Sequence, residues 1–358
     1  MTVPYEVQLL QKQRVVASQI ANAPNLQWSE PFQSRESGFR NKAKLVVGGT
    51  SDCPTLGILD SRGHGVDLSH CGLYESGLAT AFPMLAEFIR VARLVPYDVP
   101  NRSGELKYLL LTYSPGGELM LRFVLRSQSQ LARIRSQLGK LRSLIPQLRV
   151  ISANIQPEHK AILEGDTEFL LSDEDTLAMQ INDVTLYLRP GSFFQTNTAV
   201  AAALYRQAGG WIDSTAPTTI ADLYCGVGGF ALHCDGPGRV VTGVEITADA
   251  IASAQQSSEA LTSTAQWDFR VGDASIVPFV DSAPEVVIVN PPRRGIGAAL
   301  ATTINQSSTQ TVIYSSCNVR SLAKDLEILS RFEPIRARLF DMFPQTQHHE
   351  VMLLLQAR

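Results

Sequence analysis

The stretch Val312-Ile-Tyr-Ser-Ser-Cys-Asn318 joins a short apolar run to an abrupt polar one. Val312, Ile313 and Tyr314 read as a buried strand, so Cys317 falls at a strand's carboxyl end, the edge where open α/β sheets bind ligands. A cysteine there is either a nucleophile or an inert buried thiol, and its surroundings decide which. A second stretch, Asp222-Leu-Tyr-Cys-Gly226-Val-Gly228-Gly229-Phe230, follows a strand and opens a helix. Its glycines let the main chain turn tightly and approach a ligand that a side chain would keep away. Glu245 ends the next strand, where a carboxylate can accept hydrogen bonds from both hydroxyls of a ribose, and Asp273 follows a third strand, where adenine would lie. The spacing is not Gly-x-Gly-x-x-Gly and no basic residue sits in the loop, so a pyrophosphate is poorly served. An adenosine without phosphates, such as S-adenosylmethionine (SAM), fits better. Asn290-Pro291-Pro292-Arg293 ends a fourth strand, and its two prolines present the Asn290 side chain rigidly. Amine methyltransferases with such a turn follow it with an aromatic residue; Arg293 stands here instead, which argues against amine methylation.

The elements that position these residues alternate. Strands are expected at 219–223, 240–244, 269–271, 286–289 and 312–314, with helices at 199–208, 248–261 and 321–329. That pattern is a doubly wound, Rossmann-like α/β domain, placed at 191–358. Residues 1–190 read as a smaller N-terminal and central α+β domain. Its expected strands at 108–112 and 119–125 are joined by the turn Ser114-Pro-Gly-Gly117 into an antiparallel sheet. The first 37 residues offer only an amphipathic start, with Val7, Leu9, Leu10, Val15 and Ile20, and no motif.

Between Leu121 and Arg149 lie seven cations (Arg122, Arg126, Arg133, Arg135, Lys140, Arg142, Arg149) and no carboxylate. Leu131, Ile134, Leu138, Leu141 and Ile145 recur there at helical spacing, so a helix buries that stripe and turns its cations outward. This is either a solvated face or a surface for a phosphate backbone. The net charge of −3 does not decide, because an acidic segment from Glu164 to Asp175 offsets the stripe. No apolar run approaches the roughly 20 residues of a membrane span, and no signal peptide opens the chain. Five scattered cysteines argue for reduced thiols, and so for the cytoplasm.

Taken together, Ser192-Phe-Phe-Gln195-Thr-Asn197, the Asp222 turn, Asn290-Pro-Pro-Arg-Arg-Gly295, Tyr314-Ser-Ser-Cys-Asn318 and Asp341-Met-Phe-Pro-Gln-Thr-Gln-His-His-Glu350 closely resemble the RNA uracil-C5 methyltransferases. The resemblance is strongest to the branch that acts on 23S ribosomal RNA and lacks an N-terminal TRAM domain, and it runs from about Phe39 onward. It implies that Gln195, Tyr224, Glu245 and Asn290 contact SAM, that Cys317 is the nucleophile and that Glu350 is the base. It also implies an RNA partner presenting a flipped-out or looped uridine, with no part for DNA or a membrane. Tyr224 stands where the family commonly has Phe. Members of the branch hold a 4Fe–4S cluster on four cysteines. Cys71-Gly-Leu-Tyr74 matches the last of these, but no cysteine precedes Cys53. Either this chain dispenses with the cluster or its start lies upstream, so no metal ligands are expected in the sequence as it stands.

The chemistry suits the residue types. Uracil C5 is too weak a nucleophile to take a methyl group unaided, and a thiolate adding at C6 turns the ring into an enolate that can. A carboxylate can then remove the C5 proton so that the thiol leaves. His348 and His349 are alternative bases by position. Rival readings are transfer-RNA uracil methylation, a non-catalytic SAM- and RNA-binding protein, and cytosine-C5 methylation. The last commonly needs two cysteines at the site, whereas Cys225 is committed to the glycine turn.

Overall fold

In a computed structural model of the protein, the described residues are 3–20, 25–160, 162–276 and 283–358. They form two compact units: Met1–Glu36 with Gln180–Leu188 and Ser192–Arg358, and Ser37–Met179 with Arg189–Gly191. The boundary expected near residue 190 therefore falls at a chain crossing. The first 36 residues group with the C-terminal unit rather than with the sheet that follows them.

The C-terminal unit is built on β1 (Thr219–Leu223), β2 (Val240–Glu245), β3 (Gln266–Val271), β4 (Val286–Val289), β5 (Thr311–Ser316), β6 (Phe332–Phe340) and β7 (Glu350–Ala357). Their order across the sheet is β6-β7-β5-β4-β1-β2-β3, and the short strand Gln27–Trp28 pairs in parallel beside β6. Strands β1 to β5 are parallel, whereas β7 runs antiparallel between β5 and β6. The doubly wound expectation is met, and the order reverses between β1 and β4, where such sheets bind ligands. All four side chains of β4 are buried, as an apolar run in a central parallel strand requires. Helices α1 (Tyr5–Gln19), α2 (Thr198–Asp213), α3 (Ala248–Glu259), α4 (Gly297–Gln306) and α5 (Val319–Ile328) belong to the same unit. Helix α1 buries Leu9, Lys12 and Val16, while Val7, Leu10 and Val15 stay exposed. A lysine thus takes a place in its apolar stripe.

The other unit is a seven-stranded sheet in the order 65–67, 54–59, 42–49, 106–113, 119–125, 148–155 and 167–170. It is antiparallel as expected, except that Leu119–Leu125 and Leu148–Ile155 run parallel, because a helical crossover joins them. That crossover is not one helix. It breaks at Gln137 into Leu131–Ser136 and Leu138–Leu144, with Gly139 a weak helix former just beyond the break. Leu131, Ile134, Leu141 and Ile145 are buried, as the periodicity requires.

The cations of this stretch do not form a free stripe. Arg122 is buried, with Nη1 2.8 Å from Glu164 and Nη2 2.6 Å from Glu168. Arg126 pairs with Glu105 and Arg149 with Glu118, while Arg142 reaches Asp173 at 4.0 Å. Three of these carboxylates, Glu164, Glu168 and Asp173, belong to the acidic segment from Glu164 to Asp175, while Glu105 and Glu118 each stand just before a strand. Arg133, Arg135 and Lys140 have no carboxylate partner among the described residues, although Arg133 donates to the Arg93 carbonyl and Arg135 lies over the Phe169 ring.

Candidate active site

Strand β5 ends at Ser316, and helix α5 starts at Val319 with Asn318 as its cap, Oδ1 accepting from Arg320 N at 3.2 Å. Cys317 sits between strand and cap, half-buried. Antiparallel pairing of β5 with β7 matches Ser315 to Met352 and Ser316 to Val351. Ser316–Val351 is the last pair of that ladder, so Cys317 follows the end of β5 where β7 begins at Glu350, and the Glu350 charge reaches the thiol. Glu350 is buried, and its Oε1 accepts a 2.7 Å hydrogen bond from Ser315 Oγ. Burial pushes its carboxyl up to about 7, and the Ser315 hydroxyl opposes that rise. The Cys317 thiol is also raised, first by burial and then by the Glu350 charge. A hydrogen bond and the positive charge of Arg293 pull it the other way. The free thiol is therefore the resting form, with Arg293 as the group that favours ionisation.

Arg293 belongs to the turn that follows β4. Its carbonyl accepts from Asn318 Nδ2 at 2.7 Å, and its guanidinium lies 3.4 Å from His348 Nδ1. Gly295 in this turn has φ +83°, and a Cβ there would come within 2.3 Å of Asp325 Oδ2. That oxygen accepts from Tyr314 OH at 2.6 Å and from Ile296 N at 2.9 Å. Asp325, buried on α5, thus fastens the Asn290 turn to the strand that ends at Cys317. Sequence reading passed it over, since a carboxylate on an amphipathic helix looks like a solvated one.

The glycine turn after β1 has three residues with positive φ that matter here: Tyr224 at +67°, Gly226 at +54° and Gly228 at +84°. The amides of Tyr224 and Cys225 both donate to the Val244 carbonyl, tying the turn to the end of β2, where Glu245 follows. A Cβ added to Gly226 would meet nothing within 4 Å, so this glycine borders open space. Asp222 is fully buried; Oδ2 accepts from Ala231 N at 2.9 Å while Oδ1 has no partner. Burial pushes its carboxyl up to about 8, the Ala231 amide opposes this, and the Glu245 charge adds to it. Glu245 Oε1 accepts from Thr247 N, and Asp273 Oδ1 accepts from Ser275 Oγ and N, which hold it below the usual carboxylate range. Tyr224, Gly226, Glu245, Asp273 and Asn290 therefore line up along the carboxyl ends of β1 to β4. Gln195 lies on the segment entering α2, whose buried Tyr205 feels both Asp222 and Glu350. The donor set fits an adenosine: carboxylates at the ribose and base positions, and a bare main-chain turn between them.

The remaining candidates sort by environment. His349 is buried and its desolvated ring resists protonation, with Nδ1 at the Gln347 carbonyl and Nε2 unpartnered. His348 is exposed, edge-on to Phe343. Cys225 and Cys234 are buried thiols pushed well up by desolvation. Cys53 and Cys71 belong to the other unit. Among the described residues no three His, Cys, Asp or Glu side chains converge as a metal site, and Cys71 stands without the rest of a four-cysteine set.

The family described as tRNA (Uracil-5-)-methyltransferase matches residues 270–358, the part that carries Asn290, Cys317 and Glu350. A 23S rRNA (uracil(747)-C(5))-methyltransferase of Serratia proteamaculans is 49% identical over 354 residues, covering 98% of this chain and 94% of that protein. Its counterpart in Edwardsiella ictaluri is 48% identical over 99% of this chain and 94% of that protein. The crystal structure of the Pyrococcus abyssi tRNA (uracil-54, C5)-methyltransferase with S-adenosyl-L-homocysteine shares the fold, with a TM-score of 0.82 at 24% identity over 99% of this chain and 82% of that one. Near-complete alignment at half identity makes this chain a member of the RNA uracil-C5 methyltransferase family.

Proposed function

We propose that the protein transfers the methyl group of SAM to C5 of a uridine in 23S ribosomal RNA, giving 5-methyluridine. The observation that carries this reading is the meeting of β5 and β7, where buried Glu350 accepts from Ser315 and its charge acts on the Cys317 thiol. Gln195, Tyr224, Gly226, Glu245, Asp273 and Asn290 would hold SAM, which when bound would supply an electrophilic methyl group and, on breaking of its S–CH3 bond, leave as S-adenosylhomocysteine. The Cys317 thiolate, favoured by Arg293, adds to C6 of the uracil, and the C5–C6 electron pair becomes available at C5 for the methyl. Glu350 then takes the C5 proton, the C5–H electrons restore the C5=C6 double bond, and the C6–S bond breaks to return the thiolate. A carboxyl at about 7 is near the optimum for such a base at neutral pH. The uridine has to leave its stack to reach this edge. No step is assigned to an iron–sulfur cluster; Cys71 is the residue here that matches the branch's ligand set.

The test is methyl transfer from labelled SAM to separated ribosomal and transfer RNAs, followed by nucleoside analysis. Labelled 5-methyluridine in 23S RNA is the expected result. Label confined to transfer RNA would move the substrate class, and labelled 5-methylcytidine would overturn the assignment.

A further inference from the structure

Helix α1 buries one face, and on that face Lys12 is 7% exposed. A lysine in a buried helical stripe loses its hydration, so it stays charged only where partners replace that water. Here Nζ lies 2.6 Å from Asp341 Oδ1 and donates to the Phe343 carbonyl at 3.0 Å. Asp341 is itself fully buried. It follows Phe340, and Phe340 is the cross-strand partner of Glu350 in the β6–β7 ladder. Glu350 is the first residue of β7, so this pair closes the ladder at the end where pairing frays most readily. The chain between the two, 341–349, is gripped from α1 at Asp341 and Phe343 by Lys12, and at Gln345 by Gln8 across 2.8 Å. A cavity of about 540 Å³ is lined by Gln8, Gln11, Lys12 and Val15 of α1 and by Thr346, Gln347 and His349.

We propose that Lys12 is a positioning residue for Glu350: the N-terminal helix, through the Lys12–Asp341 pair, fixes the end of the β6–β7 ladder and so the placement of the carboxylate that removes the C5 proton. This rests on the reading of Cys317 and Glu350 given above. It assigns a part in the reaction to a helix that carries no motif.

The test uses Lys12→Met in the full chain, beside wild type and Cys317→Ala, with labelled SAM and 23S RNA. A displaced base slows the step after methylation and leaves the earlier ones alone. Turnover should fall roughly 10- to 100-fold, SAM affinity should hold, and a denaturation-resistant protein–RNA adduct carrying the methyl label should accumulate. Normal turnover, or lost turnover without adduct, would overturn the proposal, the second outcome marking a merely structural part for Lys12. Should Lys12→Met fail to fold, the paired variant Lys12→Met/Asp341→Leu leaves no lone buried charge. Its Phe343 carbonyl still lacks a donor, so adduct should accumulate there too; adduct resolved at the wild-type rate would overturn the idea. If wild type itself methylates no RNA, the functional reading fails instead, independently of Lys12.

Discussion

Ser315 Oγ donates a 2.7 Å hydrogen bond to Glu350 Oε1, joining β5 to β7 two residues before Cys317. That bond favours the ionised carboxylate against the burial that pushes it up to about 7. A base has to be ionised to work, so resolution of the methylated adduct should accelerate as pH rises through about 7 and level off above it. Ser315→Ala removes the opposing donor and should move that midpoint to higher pH. Single-turnover rates across pH would show it, and an unmoved midpoint would count against the assignment of Glu350.

The same shift ties Glu350 to stability. Its folded carboxyl lies above the ordinary value of 4.5, so the folded state holds a proton that the unfolded chain releases. Its favourable contribution is complete below pH 4.5 and is lost as pH rises to about 7. Above that, the buried charge is a standing cost on the order of 3 kcal/mol. Glu350→Gln should therefore be more stable than wild type at pH 8 and show a smaller difference at pH 5. Paired thermal melts at the two pH values check the sign, because the contribution of Asp222 is common to both proteins.

Two glycines of the Asp222 turn should separate ligand approach from packing. Gly226 borders open space at φ +54°, so Gly226→Ala should cost the fold only about 1–2 kcal/mol while weakening SAM binding severalfold or more. A Cβ at Gly229 would come within 2.4 Å of the Tyr205 ring, so Gly229→Ala should lower stability with or without SAM. Equal losses of SAM affinity and stability in both variants would contradict the placement of the cofactor.

How much of this was legible in the sequence follows from how local each signal is. Strand β4 was readable to the residue, because four consecutive β-branched side chains have nowhere to go but a buried strand. The end of β5 and the turn after β1 were readable for the same reason, an apolar run stopped by residues with special backbone needs. Helix α1 was seen only as an amphipathic start, since Lys12 interrupts its apolar face and is justified only by Asp341, 329 residues away. Asp325 was missed likewise, its partners Tyr314 and Ile296 lying on other elements. The basic stripe was legible as a count and left open as a surface; carboxylates brought close by the fold pair four of its seven cations.

That pairing divides the cations by role. Arg122→Ala strands Glu164 and Glu168 and should destabilise the protein by about 3 kcal/mol, with little change in the salt dependence of RNA binding. Arg133→Ala with Arg135→Ala should do the reverse, leaving stability nearly intact and reducing the log–log salt slope by up to about 1.4 if both meet single-stranded phosphates. Denaturant melts and RNA titrations at several salt concentrations distinguish the two, and an unchanged slope in the double variant would remove this surface from the RNA interface.

The division of labour between Cys317 and Glu350 gives the sharpest contrast. If Cys317 opens the reaction by adding to C6, Cys317→Ala should abolish both methyl transfer and any covalent link to RNA, while SAM still binds along β1 to β4. If Glu350 acts only after the methyl has moved, Glu350→Gln should permit addition and methylation but stall elimination, so an adduct that survives denaturation should build up with one label per protein. Both variants are dead in turnover and opposite in trapping. Adduct formed by Cys317→Ala, or methylated RNA released by Glu350→Gln at the normal rate, would show the roles to be wrong. His348, exposed and 3.4 Å from Arg293, would then be the next base to test, because His349 is buried with Nδ1 at the Gln347 carbonyl.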